Sequence, residues 1–73
     1  MDMNERKIAL GQNIKRLRED NMISQRSFAQ MVGMSQAYLS GVESGQRNIG
    51  YANLCKIAEG LDVEPSELLR GIR

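Results

Sequence analysis

Two short segments stand back to back in the middle of the chain, each opened by a serine and closed by a glycine: Ser24 to Gly33, then Ser35 to Gly45. A serine side chain at a helix start accepts a hydrogen bond from a backbone N–H that has no partner within the helix, and a glycine past the end takes a left-handed conformation without a Cβ clash. The pattern predicts two helices of roughly nine residues, too short to be stable alone in water, joined by Gly33-Met34-Ser35 into a tight αα unit. Phe28, Ala29 and Val32 form the apolar edge of the first, and Leu39 and Val42 that of the second. Ala29 lets the two helices approach, and Met34 can plug under the turn.

The flanking segments are helical by the same reasoning. From about Glu5 to Asp20, Leu10, Ile14 and Leu17 recur at i, i+4, i+7; from Tyr51 to Leu61, Leu54, Ile57, Ala58 and Leu61 do so more cleanly. Glu64 to Leu69 suits a last short helix, with Pro65 at its first position, where the missing N–H costs nothing. The glycines read as punctuation, and no window alternates with period 2. The expectation is all-α: one compact five-helix domain over residues 1–73, with the helix-turn-helix unit at 24–45. A chain of 73 residues buries only about 60% of the surface it exposes when unfolded, so each core side chain counts.

Several function classes fall away. The longest apolar runs, such as Ile8-Ala9-Leu10, are far too short for a membrane span or a signal peptide, and a soluble, cytoplasmic protein is expected. Cys55 is the sole cysteine and histidine is absent, so no metal site, no cofactor and no catalytic residues are expected, and the chain does not read as an enzyme.

The second helix of the central pair carries the functional signal. With Leu39 and Val42 pointing inward, the outward side holds Ala37, Ser40, Gly41 and Ser44, with Gln36 at the flank. A solvated face would be filled with Lys and Glu. This one is small and neutral and includes a glycine that costs about 1 kcal/mol of helix propensity, which suggests a surface that something approaches closely. Gln36 is a residue type that can pair bidentately with adenine, Ala37 can touch a thymine methyl, and both lie at the helix N-terminus, the end that reaches base edges in a DNA major groove. Tyr38, on the flank, can either touch the DNA backbone or cover core. Gripping phosphates needs donors, and Gln25, Ser44, Arg47 and Asn48 are candidates, with Arg26 adding field; Lys15 and Arg16 read more simply as solvated.

From Ser24 to Leu61 the sequence resembles the phage-repressor and Cro-like (Xre-type) helix-turn-helix family. The resemblance rests on the Gln after the first cap, the Ala and Gly at their expected places, the Glu-x-Gly-x-Arg-Asn run over 43–48, and Lys56-Ile57-Ala58. It implies a lambda-repressor-like fold and a homodimeric, sequence-specific transcriptional regulator of double-stranded DNA. Its pseudo-palindromic operator would be read by a recognition helix at about 35–44, and RNA polymerase is a further expected partner. Tyr38 to Gly41 and Arg47-Asn48-Ile49 are similar to the small controller proteins of restriction-modification systems, with phage, plasmid and conjugative-element repressors also open. The rival reading is a helical protein-interaction module, such as an antitoxin or adaptor, without direct DNA readout.

Arg18 and Glu43 each lie four residues beyond an apolar stripe residue, Ile14 and Leu39. They are expected to pair, and the resemblance implies the same. Leu68, Leu69 and Ile72 exceed what a small core needs and are expected to form an apolar patch for a second copy, although Leu68 is equally suited to cap the core.

A net charge of +1 argues at first against nucleic acid. Residues 6–47, however, hold seven Lys/Arg against three Asp/Glu, a local +4, while residues 1–5 carry −2 and residues 48–73 carry −1. The segment expected to face DNA is basic and the C-terminal end mildly acidic.

Overall fold

Five helices and no strand make up the computed structural model, which describes residues 1–73: α1 (Met3–Asp20), α2 (Gln25–Val32), α3 (Gln36–Glu43), α4 (Tyr51–Gly60) and α5 (Pro65–Leu68). The serine and glycine signals act as capping chemistry requires. Ser24 Oγ accepts the Ser27 N–H at 3.1 Å, and Ser35 Oγ accepts the Tyr38 N–H at 3.0 Å. Gly33 is left-handed (φ 72°), and the Met34 N–H returns to the Ala29 carbonyl at 2.9 Å, turning the chain into α3. Helix α1 begins ahead of the expected Glu5 because Asp2 and Glu5 cap it reciprocally: Asp2 Oδ1 accepts the Glu5 N–H at 2.8 Å, and Glu5 Oε1 accepts the Asp2 N–H at 3.0 Å.

The core lies where the helices converge. Ile14, Phe28, Leu39, Ile57 and Leu68 are fully enclosed, with Val42, Ala29 and Ala58 between them. Leu68 therefore cannot belong to an apolar patch offered to a second copy. It is the plug of α5 in this subunit's own core, and only the half-buried Ile72 and the exposed Leu69 remain on that surface.

Glycine turns out to do more than punctuate. Gly11, Gly41 and Gly60 lie inside helices. At Gly11, α1 crosses the end of α3 so closely that a Cβ would overlap the Val42 carbonyl oxygen and stand 2.5 Å from that of Glu43. At Gly60 a Cβ would stand 2.6 Å from Val32 Cγ1, so α4 packs on α2 through this gap. A helix interior pays for such glycines in propensity, and close packing offsets the loss. Buried Asn13 adds a tie that the apolar pattern does not register: its Nδ2 donates to the carbonyls of Leu68 (2.9 Å) and Arg70 (3.0 Å), fastening the chain around α5 to α1.

The polar centre of the fold is the junction of α1, α2 and α3. Arg18 donates from Nε to Glu43 Oε2 at 2.7 Å and from Nη2 to Glu43 Oε1 at 2.9 Å, while Nη1 donates to the Ile23 carbonyl at 2.7 Å. The two side chains are 7% and 3% exposed, so this is a buried, two-pronged pair. Its hydrogen bond to Glu43 holds the Arg18 guanidinium above its ordinary pKa, outweighing the opposing effect of desolvation. A raised folded-state value contributes stability that is present below the unfolded value and lost only as pH climbs through the folded one. Arg18 itself thus introduces no loss of stability across the ordinary pH range.

Removing one partner strands the other charge in the interior, at a typical cost of about 3–5 kcal/mol. Glu43→Ala is therefore expected to unfold or nearly unfold the domain, read as a collapse of the thermal transition by circular dichroism. A wild-type melting temperature in that variant would contradict the assignment.

Candidate nucleic-acid interface

Docking α3 on α1 and α2 through Leu39, Val42 and Glu43 leaves its other side outward, and Gln36, Ala37, Ser40 and Ser44 are all exposed there. None of the α3 residues on this side is itself charged. Arg26, from the first turn of α2, reaches Gln36 through a long 3.5 Å contact from Nε to Oε1, so these two candidates share one edge of the helix-turn-helix unit.

On the opposite edge, Lys15, Gln25, Ser40, Glu43 and Ser44 line a polar hollow of about 160 Å³. Gln25 Nε2 donates to Glu43 Oε1 at 3.1 Å. That occupies one of its two amide hydrogens and leaves the other for an acceptor outside. Ser44 Oγ donates to the Gly41 carbonyl at 3.1 Å, so in the free protein its hydrogen is engaged within the chain. Lys15, read from the sequence as merely solvated, is brought to this hollow. The available signal was its spacing of three from Arg18, which puts both on the side of α1 that meets the end of α3.

The third group surrounds the end of α3. Tyr38 is half-buried against the core, and its Oη accepts from Asn53 Nδ2 of α4 at 3.1 Å. Arg47 stands with its guanidinium carbon 5.3 Å from the Tyr38 ring centroid. Its side chain also crosses Gly41, where a Cβ would stand 3.0 Å from Arg47 Cγ. The gap at Gly41, read from the sequence as room for an approaching partner, is thus filled first by the protein's own arginine. Nothing in the sequence around Asn53 announces its part in this group.

Two sets of candidates lie apart from the α3 surface. Asn48 lies at a mainly apolar depression with Met3, Arg6, Lys7, Leu10, Leu69 and Ile72, about 160 Å³ in volume. Leu69 and Ile72 thus face Leu10 and Met3 of α1, away from the buried Leu68.

Comparison with known proteins bears on the family and the fold. A helix-turn-helix family model (HTH_3) matches residues 14–68. The control protein C.MunI of Mycoplasma sp is 41% identical over 71 residues, covering 96% of this chain and 96% of that protein. Among solved structures, the restriction-modification controller protein C.AhdI from Aeromonas hydrophila superposes with a TM-score of 0.82 at 41% identity, covering 84% of this chain and 92% of that one. The P22 c2 repressor, solved in complex with a synthetic operator, superposes with a TM-score of 0.78 at 29% identity, covering 85% and 94%.

The bond from Gln25 to Glu43 gives this candidate contact a second duty. Gln25→Ala is expected to lower the stability of the DNA-free protein by about 0.5–1.5 kcal/mol, the usual net worth of a hydrogen bond. Urea unfolding without DNA checks this, and an unchanged midpoint would remove the structural role.

Proposed function

Because the chain belongs to the helix-turn-helix family of DNA-binding transcriptional regulators, we propose that it is a controller-type regulator that binds a pseudo-palindromic operator as a homodimer, with α3 in the major groove of each half-site. The exposed, uncharged side of α3 is the observation that carries this reading. A helix with its side chains is about 10–12 Å across, comparable to the width of the groove, and the small side chains of the eight-residue α3 allow its backbone to come near the base edges. Gln36 and Ala37 would read bases from the N-terminal end, with Ser40 beside them. Lys15, Gln25 and Ser44 would meet the phosphates on one side, with Arg26 and Arg47 supplying charge around α3.

A subunit measuring 31 × 23 × 21 Å is of a size that lets the two α3 helices of a pair lie one helical turn, roughly 34 Å, apart along the duplex. Leu69 and Ile72, with Met3 and Leu10 beside them, supply the apolar surface for the second copy. Asn48, beside that surface, would reach the backbone only from the end of the loop. A local charge of only +4 over residues 6–47 gives a single subunit a modest electrostatic hold, so affinity depends on pairing. RNA polymerase is what a bound dimer would recruit or block, according to where the operator lies.

Selection of bound sequences from random duplex DNA is expected to enrich two related half-sites whose centres are about 10 bp, or a multiple of that, apart. The logarithm of the affinity for the selected duplex should fall linearly with log salt, at about 0.9 per phosphate neutralised, and Arg47→Ala should lower that slope. No enrichment, with no duplex affinity at low salt, would instead mark a protein-interaction module.

A further inference from the structure

Tyr38, Gly41, Arg47 and Asn53 come from α3, the following loop and α4, yet they form one continuous arrangement. The Gly41 carbonyl accepts the N–H of Gln46 at 2.9 Å and of Arg47 at 3.0 Å, folding the chain back on α3 as soon as the helix ends. The Arg47 side chain then runs along the helix. A Cβ at Gly41 would stand 3.0 Å from its Cγ and 3.2 Å from its Cδ, and its guanidinium carbon ends 5.3 Å from the centre of the Tyr38 ring. Tyr38 and Gly41 are three residues apart and so share one side of the helix. The ring has its own anchor in Asn53, whose Nδ2 donates to Tyr38 Oη at 3.1 Å. The two salt bridges in the chain, Arg18 with Glu43 and Arg70 with Glu67, leave Arg47 without a carboxylate partner.

An exposed arginine on a loop ordinarily samples many rotamers, and ordering one on binding costs affinity. Here the path is laid out before DNA arrives: the glycine provides the track, the ring holds the far end, and the charge is unspent. We propose that Tyr38 is a positioning residue that holds the Arg47 guanidinium along the flank of α3, so that Arg47 meets the duplex as part of the edge of the recognition helix rather than as a free loop cation. Gly41 is glycine because that path crosses it. The proposal rests on the DNA-binding reading given above and assigns within it how one cation is aimed.

The test is a double-mutant cycle in affinity for the selected operator duplex, with melting temperatures measured alongside. Tyr38→Leu keeps an apolar side chain on the core and removes the ring. It should weaken binding by about two- to fivefold per subunit, the worth of an exposed cation–π contact. In that background Arg47→Ala should cost clearly less than in the wild type, and Tyr38→Phe, which keeps the ring, should restore the difference. Gly41→Ala separates aim from stability, because it should raise the melting temperature through helix propensity while weakening operator binding. Independent, multiplying effects of Tyr38→Leu and Arg47→Ala, or unweakened binding by Gly41→Ala, would overturn the positioning role while leaving DNA binding intact. A wild-type protein with no duplex affinity would overturn both. In the DNA-free protein, NMR should show Arg47 side-chain protons shifted by the Tyr38 ring current and released in Tyr38→Leu; unshifted protons in the wild type would count against the stacked arrangement.

Discussion

The fork between Arg18 and Glu43 is the constraint on which the rest depends, because it joins the scaffold to α3, the helix proposed to read DNA, at the one point where that helix ends. A glutamate at the last position of a helix sits at the negative end of the helix dipole and is unfavourable there unless something cancels its charge. Arg18 supplies two donors to that carboxylate and sends a third N–H to the Ile23 carbonyl in the turn before α2. Gln25 adds a donor from the start of α2. Three consecutive helices are thereby referred to one carboxylate. An apolar contact of equal size would be no less stable, since desolvating two charges costs several kcal/mol, but it would allow α3 to slide or rotate. The directional fork does not.

Gly11 makes the same junction possible from the other side. Without a side chain there, the α1 backbone lies directly against the last carbonyls of α3, which is why an arginine further along α1 can reach Glu43 with its whole guanidinium. The spacing within α1 is thus a geometric unit in which close approach, polar hollow and fork follow at residues 11, 15 and 18.

Much of this could be read from the sequence, and what could not has a common physical cause. Caps are local chemistry, so Ser24, Ser35, Gly33 and Pro65 announce their elements directly, and the apolar stripes identify Ile14, Phe28, Leu39 and Ile57 without knowledge of the fold. Partners distant in sequence are different. Asn13 reaches the carbonyls of Leu68 and Arg70, and Asn53 reaches Tyr38, through polar side chains whose one-dimensional pattern is that of an ordinary surface. Leu68 and Leu69 show the limit of composition: adjacent and chemically identical, they are separated into core and surface by the roughly 100° that one residue step turns around a helix. The outward side of α3 was legible as a surface, but the occupant of its smallest position was not, since only the folded loop shows that Arg47 lies across Gly41.

In this chain of 73 residues some of the side chains proposed to meet DNA also hold the fold. Gln25 supports Glu43 while lining the polar hollow, Ser44 closes on the Gly41 carbonyl while lining the same hollow, and Tyr38 leans on the core while touching Arg47. Shared duty changes what a loss of binding means. At Ala37 or Gln36, whose surroundings are mostly solvent, weakened binding would report on the proposed readout alone. At Gln25 or Tyr38 it mixes readout with the geometry of the junction, and only a measurement without DNA separates the two. The same coupling bears on ordering: among the residues proposed to contact the duplex, Gln25, Ser44, Tyr38 and Arg47 are already held by interactions within the folded chain, so these four would require little further ordering when DNA binds.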